Sequence, residues 1–271
     1  MVEFCIQVRK KTGEVVATTH STDECYLVYE QSYEEGDEIV VLSSQKDIYT
    51  IISLDDAMGN VFSYLKTDEL HYIIPFGDKK VSYSPKAFNG EKHIISIRLA
   101  TQEEVENYKN LVYNIYDQHG ETGLFPHAYA NVETRGEAVF AARNAINGNR
   151  INHSHGEWPY ESWGINRQDD AWMKVDFGRD VLVNKVVLYT RADFPHDNWW
   201  VQVTLTFSDG TEMKWDLEKS EKSHILNFED KGVNWVKLSN LIKSEDPSPF
   251  PALTQLEVYG REACYEIDLK C

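Results

Sequence analysis

Residues 181–207 read VLVNKVVLYT (181–190), RADFPHDNWW (191–200) and VQVTLTF (201–207). The first segment is rich in β-branched residues and the third alternates apolar with polar side chains, so both predict β-strands. The ten residues between them include one arginine, two aspartates, one histidine and two tryptophans. A plain connection does not need such a density of polar and aromatic groups. We therefore interpret residues 191–200 as a recognition loop between two scaffold strands.

The strand that follows the recognition loop assigns the two tryptophans to opposite faces. Trp199 has the parity of the apolar positions Val201 and Val203, whereas Trp200 falls with the polar positions. This alternation predicts Trp199 in the core and Trp200 on the outer face. An indole exposed to water without a packing partner is unfavourable. Two interpretations of Trp200 therefore stay open: it packs at the rim of the fold, or it serves as a platform for a ligand.

The recognition loop also carries charge. Arg191, Asp193 and Asp197 supply forked donors and acceptors. One interpretation is a cluster of surface ion pairs, which would contribute little to stability. The other is a set of groups that hydrogen-bond a ligand, to which His196 would also belong.

A second loop of the same character reads HSHGEWPYESW (153–163), and we call it the histidine loop. Aromatic faces stack on the apolar faces of sugar rings, while histidine, arginine and carboxylate groups make paired hydrogen bonds with adjacent hydroxyls. At least one of Trp158, Trp163 and Trp172 is expected to fill the core instead. Trp172 is the preferred one, because it begins a predicted strand.

The two histidines of this loop also allow a metal hypothesis. His153 and His155 stand two residues apart, so on extended backbone their imidazoles can point to the same side and share a transition metal. Asp193, His196 or Asp197 would then complete a hydrolytic site. Nothing in the sequence fixes those remaining ligands.

Elsewhere the chain predicts an all-β fold of two jelly-roll-type sandwiches. Residues 1–125 contain short β-type segments separated by turn residues. A capping-box pattern at Thr101 and Glu104 predicts a closing helix over residues 102–114. Residues 126–271 return to strands, with a short helix predicted over residues 137–146.

Charge and composition exclude several classes of function. The 271 residues carry a formal charge of −17 and no basic stripe, so nucleic acid is not an expected partner. No apolar run reaches the roughly 18 residues that span a bilayer. The N-terminus lacks signal-peptide character, so we expect a cytoplasmic protein, or a secreted one if a leader was removed. The four cysteines have no zinc spacing, and free thiols are expected.

Residues 126–262 resemble the discoidin family, also called the coagulation factor 5/8 C-terminal type. That family has a galactose-binding-like jelly roll and includes family 32 carbohydrate-binding modules. The order and spacing of several short segments carry the resemblance. These segments are AARNAING (141–148), SWG (162–164), AWMKVDFGR (171–179), VNKVVLYTR (183–191), FSDG (207–210) and LTQLEVYG (253–260).

The resemblance implies a sugar site in the loops at one end of the sandwich, where Arg191 matches an arginine that the family often uses. It also implies a structural calcium, with Asn147 and Glu257 at the matching positions and Asn152 as a further oxygen donor. An asparagine in place of an aspartate would weaken such a site. The alternative is that Asn147 and Gly148 only end a helix and form a turn.

Together these features predict a non-catalytic protein that binds a saccharide. Trp158, Trp163 and Trp200 would stack on sugar rings. The groups expected to hydrogen-bond hydroxyls are His155, Arg191, Asp193, His196 and Asp197. Two other classes stay open: a glycoside hydrolase or lyase that uses the loop carboxylates, and a module that binds another protein.

Overall fold

The computed structural model describes residues 1–120, 123–192 and 198–263. Within these ranges the chain forms 17 strands and one short α-helix, which surround two separate hydrophobic cores. The predicted all-β fold is confirmed. In the described part, no helix is long and apolar enough to cross a membrane.

The N-terminal sandwich consists of a four-stranded and a five-stranded antiparallel sheet. Its strands alternate as the sequence indicates: Cys25, Leu27 and Tyr29 are buried, and the residues between them are exposed. Its strands are β1 (Glu3–Arg9), β2 (Val15–Thr22), β3 (Glu24–Tyr29), β4 (Glu38–Ser43), β5 (Ile48–Ser53), β6 (Val61–Leu65), β7 (Glu69–Ile73) and β8 (His93–Leu99). The sheet orders are β2-β1-β4-β7 and β6-β5-β8-β3, with one further short strand on the outer edge of β6.

The helix after the first sandwich is shorter than predicted. Helix α1 (Gln102–Glu106) has the predicted capping box, with the Thr101 side chain accepting from the Glu104 amide and the Glu104 side chain accepting from the Thr101 amide. The helix does not continue to residue 114, because β9 (Lys109–Asn110) pairs with Tyr259 and Gly260 of the second sandwich. A long-range strand pairing thus ends the helix.

The segment over residues 109–125 joins the two sandwiches and contributes to both cores. Leu111 and Val112 belong to the second core, whereas Tyr116 and Leu124 belong to the first. The chain then adds β10 (Leu124–Phe125) to the edge of β6. The two sandwiches therefore share this segment, and the surface between them is built on it.

The C-terminal sandwich is built from long strands that bend. Their registers shift, for example between Asp176 and Val181, and such irregularities let the sheet curve around one core. The strands are β11 (His127–Ala130), β12 (Trp163–Gly164), β13 (Met173–Thr190), β14 (Trp200–Phe207), β15 (Glu212–Asp216), β16 (His224–Lys243) and β17 (Ala252–Glu262). Their order is β12-β17-β13-β16-β14-β15, with β11 also on β13 and β9 also on β17.

The helix predicted over residues 137–146 is wrong, because this part of the chain forms short 3₁₀ turns. Side chains satisfy backbone groups that an α-helix would use itself. Glu133 accepts from the Ala142 amide at 2.7 Å, and the Asn144 side chain donates to the Ala138 carbonyl at 2.8 Å. The result is a compact, irregular wall at one end of the second sandwich.

Candidate binding site

The assignment of Trp199 and Trp200 from strand parity is wrong. Trp200 has 0% exposure, whereas Trp199 is partly exposed. The pairing of β14 with β16 shifts register on both sides of Gln202. Such an irregularity reverses the side-chain alternation, so Trp200 lies on the core side together with Val203. With no exposed surface, Trp200 does not offer a face to a sugar.

Trp163, and not Trp172, is the tryptophan of the histidine loop region that fills the core. Trp163 has 0% exposure, its ring centre lies 6.4 Å from that of Trp200, and its indole N–H donates to the Val132 carbonyl at 3.0 Å. Trp172 is partly exposed beside Tyr129. The predicted stacking roles of Trp163 and Trp200 are therefore wrong, and both indoles belong to the core of the second sandwich.

Arg191, which begins the recognition loop, and part of the histidine loop meet around one cavity, which we call the loop cavity. Its volume is about 150 Å³. Arg191 and His155, one from each loop, both lie in its wall. Its lining consists of Thr134, Arg135, Phe140, His155, Ser162, Gly164, Ile165, Asn166, Arg167, Arg191, Pro249, Phe250, Pro251 and Ala252.

Arg191 ties the two loops together. It is 2% exposed; its Nη1 donates to the Tyr160 carbonyl at 3.2 Å, and its amide donates to the Ala252 carbonyl at 3.2 Å. The side chain thus holds the histidine loop against β17. His155 is exposed at the rim, where it is accessible to a ligand.

The residues that the sequence analysis missed come from three further segments. Arg167 places its guanidinium 4.4 Å from the ring centre of Phe250, and Arg135 lies 5.5 Å from that of Phe140. Phe250 is 39% exposed. The sequence feature that could have identified Phe250 is its position between Pro249 and Pro251, in a segment predicted to be a surface loop.

Two features of the cavity wall are typical of ligand sites. Ser162 is fully buried, and its Oγ has no hydrogen-bond partner within the described residues, although buried hydroxyls are normally bonded. Arg135, Asn166 and Arg167 have φ values of 54°, 49° and 60°. Non-glycine residues seldom adopt this left-handed region, and such strain clusters at ligand clamps.

Several predicted site residues lie elsewhere. Asp193, His196 and Asp197 fall outside the described residues. Trp158 does not line the loop cavity: its amide donates to the Val81 carbonyl at 2.8 Å, which brings this part of the histidine loop to the N-terminal sandwich. His153 contacts Tyr160. Across residues 1–120, 123–192 and 198–263, no group of three histidine, cysteine, aspartate or glutamate side chains is placed to hold a metal.

The asparagines expected to bind calcium are engaged with protein groups. Asn147 donates to a Glu161 oxygen at 2.8 Å, and its own Oδ1 accepts from the Asn149 amide at 2.8 Å. Asn152 donates to the Thr190 carbonyl at 3.0 Å. The turn is held by amide hydrogen bonds of the kind that a helix end and a turn require.

The third expected ligand, Glu257, already has a cation. Its Oε1 accepts from the Arg150 Nε at 2.6 Å, with Arg150 Nη2 alongside, and its Oε2 accepts from the Tyr259 hydroxyl at 2.9 Å. The side chain that faces Gly148 is the neutral Gln255, which accepts from the Gly148 amide at 3.2 Å. A hard divalent cation prefers charged oxygens. Glu257 is already paired with Arg150, whereas the buried Glu161 beside Asn147 has one oxygen, Oε2, with no hydrogen-bond partner among the described residues. Calcium at this turn stays a prediction.

Comparison with known proteins adds solved structures only. No family model and no curated protein matches the sequence. A chitosan-binding module from a Paenibacillus sp. IK-5 chitosanase/glucanase is 19% identical with a TM-score of 0.39, over 56% of this chain and 99% of its own. The family 32 module of C. perfringens NanJ, in complex with galactose, is 19% identical with a TM-score of 0.38, over 49% and 91%. The lectin domain of lectinolysin with Lewis B antigen is 22% identical with a TM-score of 0.41, over 57% and 98%.

These structures are carbohydrate-binding modules and lectin domains, the kinds of domain that the sequence resemblance implies, and they match about half of the chain. At this identity and these TM-scores they do not place the chain in a family.

Proposed function

We propose that the chain binds a carbohydrate in the loop cavity and does not transform it. The observation that carries the proposal is the convergence of Arg191 and His155 on one cavity, together with the exposed ring of Phe250. Aromatic rings supply apolar faces for a sugar, and the polar groups around them orient its hydroxyls. Asn166 and Arg167 add donors at the exposed rim.

The chemistry of the lining supports binding over hydrolysis. Glycoside hydrolysis generally uses two carboxyl groups that flank the scissile bond. Among the described residues that line the loop cavity there is no aspartate or glutamate. Asp193 and Asp197, on which the hydrolase hypothesis depends, lie outside the described residues. The groups that can be described are those of a binding site.

The test is a calorimetric titration against a panel of sugars. The panel contains galactose, fucose, Lewis b tetrasaccharide and chitosan oligomers, since these or related sugars are named for the similar structures. Binding of at least one sugar is expected, with 1:1 stoichiometry. A folded sample that binds none of them overturns the proposal.

Phe250→Ala locates the site. Losing one stacking ring is expected to weaken sugar binding by about tenfold, which corresponds to about 1.4 kcal/mol. Ile225→Ala is the matched control, because Ile225 is an exposed apolar residue (56%) outside the cavity. Equal affinities of the two variants would place the sugar elsewhere.

A further inference from the structure

A larger cavity lies between the two sandwiches, and we call it the interdomain cleft. Its volume is about 750 Å³, within the range of small-molecule sites, whereas the loop cavity falls below that range. It takes residues from the N-terminal sandwich, from the connecting segment and from the 3₁₀ turns. They are Ile73, Pro75, Asp78, Lys79, Val81, Ser82, Tyr83, Gln118, His119, Arg135, Gly136, Glu137, Ala138, Val139, Ala141 and Arg143.

The charge of the cleft is opposite to that of the whole chain. Three permanent cations, Lys79, Arg135 and Arg143, face two carboxylates, Asp78 and Glu137. The whole sequence has 27 lysines and arginines against 44 acidic residues. A cationic pocket in an acidic protein concentrates anions at that pocket. The cleft is thus suited to a ligand with negative charge.

Arg143 is the most buried of these cations. It is 6% exposed and stacks 4.4 Å from the ring centre of Tyr83. Within the described residues its hydrogen-bond partners are all neutral: the carbonyls of Asp117 and Ile115, at 2.7 and 2.9 Å, and the Asn144 side chain at 3.1 Å. The carboxylates of Asp117 and Glu161 act on this guanidinium electrostatically without a hydrogen bond to it. An anionic group in the cleft would add a charged partner in direct contact.

Arg135 connects the cleft with the loop cavity, because it lines both. The backbone at this point is unusual: Arg135 and Gly136 have φ values of 54° and 65°. Arg135 is held by two hydrogen bonds to the Glu137 carboxylate, at 2.5 and 2.7 Å. Arg135 therefore borders both cavities.

The cleft also has apolar walls. Ile73 and Val81 are 51% and 41% exposed, and Val139 faces the same space. Apolar surface of this kind, beside a few charged groups, is what a ring with one charged substituent requires.

We infer that the interdomain cleft binds further units of an acidic oligosaccharide, whose carboxylate or sulfate groups meet Lys79, Arg135 and Arg143. The inference rests on the proposed function, since the first sugar unit occupies the loop cavity. It adds that the ligand is an oligosaccharide and that it carries negative charge.

The experiment compares ligands that differ in charge alone. Tetragalacturonate is titrated against its methyl ester, and a sulfated galactose tetrasaccharide against its desulfated form. At least one acidic member is expected to bind about tenfold more tightly than its neutral counterpart, as a hydrogen bond to a charged group predicts. The two pairs separate carboxylate from sulfate. Equal affinities within both pairs overturn the inference.

Lys79→Glu locates the charge effect. It is expected to remove the preference for the acidic member of the pair and to leave binding of the neutral sugar unchanged. Lys86→Glu is the control, because Lys86 is exposed and lies outside the cleft. Equal loss in both variants would mean a general charge effect and would overturn the inference.

These results are distinct from a failure of the proposed function. If neutral sugars bind and acidic ones gain nothing, only the inference about the cleft fails. If no sugar binds at all, the proposed function fails, and the inference with it.

Discussion

The loop cavity and the interdomain cleft are built in different ways. The loop cavity lies within the second sandwich, where the buried Trp163 stands between the lining residues Ser162 and Gly164. The cleft exists only where two sandwiches meet along the connecting segment, and its wall is rich in charge. A rigid core supports the first, whereas the second depends on how the two domains are joined.

Because of this difference, the two cavities are expected to contribute to binding in different ways. A small cavity beside a close-packed core is expected to select a sugar ring by its shape, because close-packed side chains move little. A larger, charged cleft adds affinity through electrostatics, which tolerate variation in shape but respond to salt and pH. The following changes are expected to affect the two cavities unequally.

The largest effect is expected for Trp163→Ala, which empties a core position between two lining residues of the loop cavity, Ser162 and Gly164. Replacing a fully buried tryptophan with alanine costs about 3–5 kcal/mol of unfolding free energy, measured by urea denaturation. Trp158→Ala is the control, because Trp158 is 40% exposed and should cost well under half as much. Comparable losses in both variants would contradict the assignment of Trp163 as the core residue.

A smaller effect is expected for Arg150→Gln, which leaves the buried Glu257 carboxylate without its cation. Breaking a buried pair costs several kcal/mol, but the Arg150 side chain is 50% exposed, so about 2 kcal/mol is expected. The control is Arg261→Gln. Arg261 is exposed and lies on β17 with Glu257, so its replacement should change the unfolding free energy little.

Calcium binding is tested on the unaltered chain. The melting temperature of the unaltered chain should be the same with calcium as with a chelator, because Glu257 is already paired with Arg150 and the Gly148 amide is bound by the neutral Gln255. A rise in melting temperature with calcium would restore the site that the sequence resemblance implies.

The smallest effect concerns pH and belongs to the cleft alone. A hydrogen bond with Glu133 raises the pKa of His119 above 6.5, with the Asp117 charge in support and with burial and Arg143 opposed. A raised folded pKa means that the stabilisation by protonated His119 is complete below pH 6.5 and is lost as pH rises through the folded value. Protonated His119 also lies in the wall of the cleft, where its charge would attract an anion, so affinity for the acidic tetrasaccharide should fall by about threefold as pH rises through the raised pKa.

His119→Gln separates this effect from other titrations. The variant should bind the acidic tetrasaccharide with no such fall, and the neutral sugar should show none in either protein. A fall that persists in the variant would assign the pH dependence to another group.

Local chemistry predicted much of the architecture. The capping box at Thr101 and Glu104 lies within four residues and forms as predicted. Alternation and β-branched content predict the β-rich character of both sandwiches. Loop composition predicts Arg191 and His155 as site residues, the family resemblance also points to Arg191, and the two residues line one cavity.

What only the tertiary structure decided depends on partners distant in sequence. The predicted helix ends at Glu106 because residues 109–110 pair with a strand some 150 residues later. Trp200 turns inward because β14 changes register against β16. Arg167 and Phe250 meet from segments far apart in the chain.

The sequence by itself therefore determined the β-rich scaffold and the caps and turns, and it predicted two loops as candidates for recognition. The structure decided which tryptophans are buried, which residues complete the loop cavity, and that a charged cleft adjoins it. The physical reason is range: propensity, capping and alternation act over a few residues, whereas burial and side-chain convergence follow from strand register and domain contact.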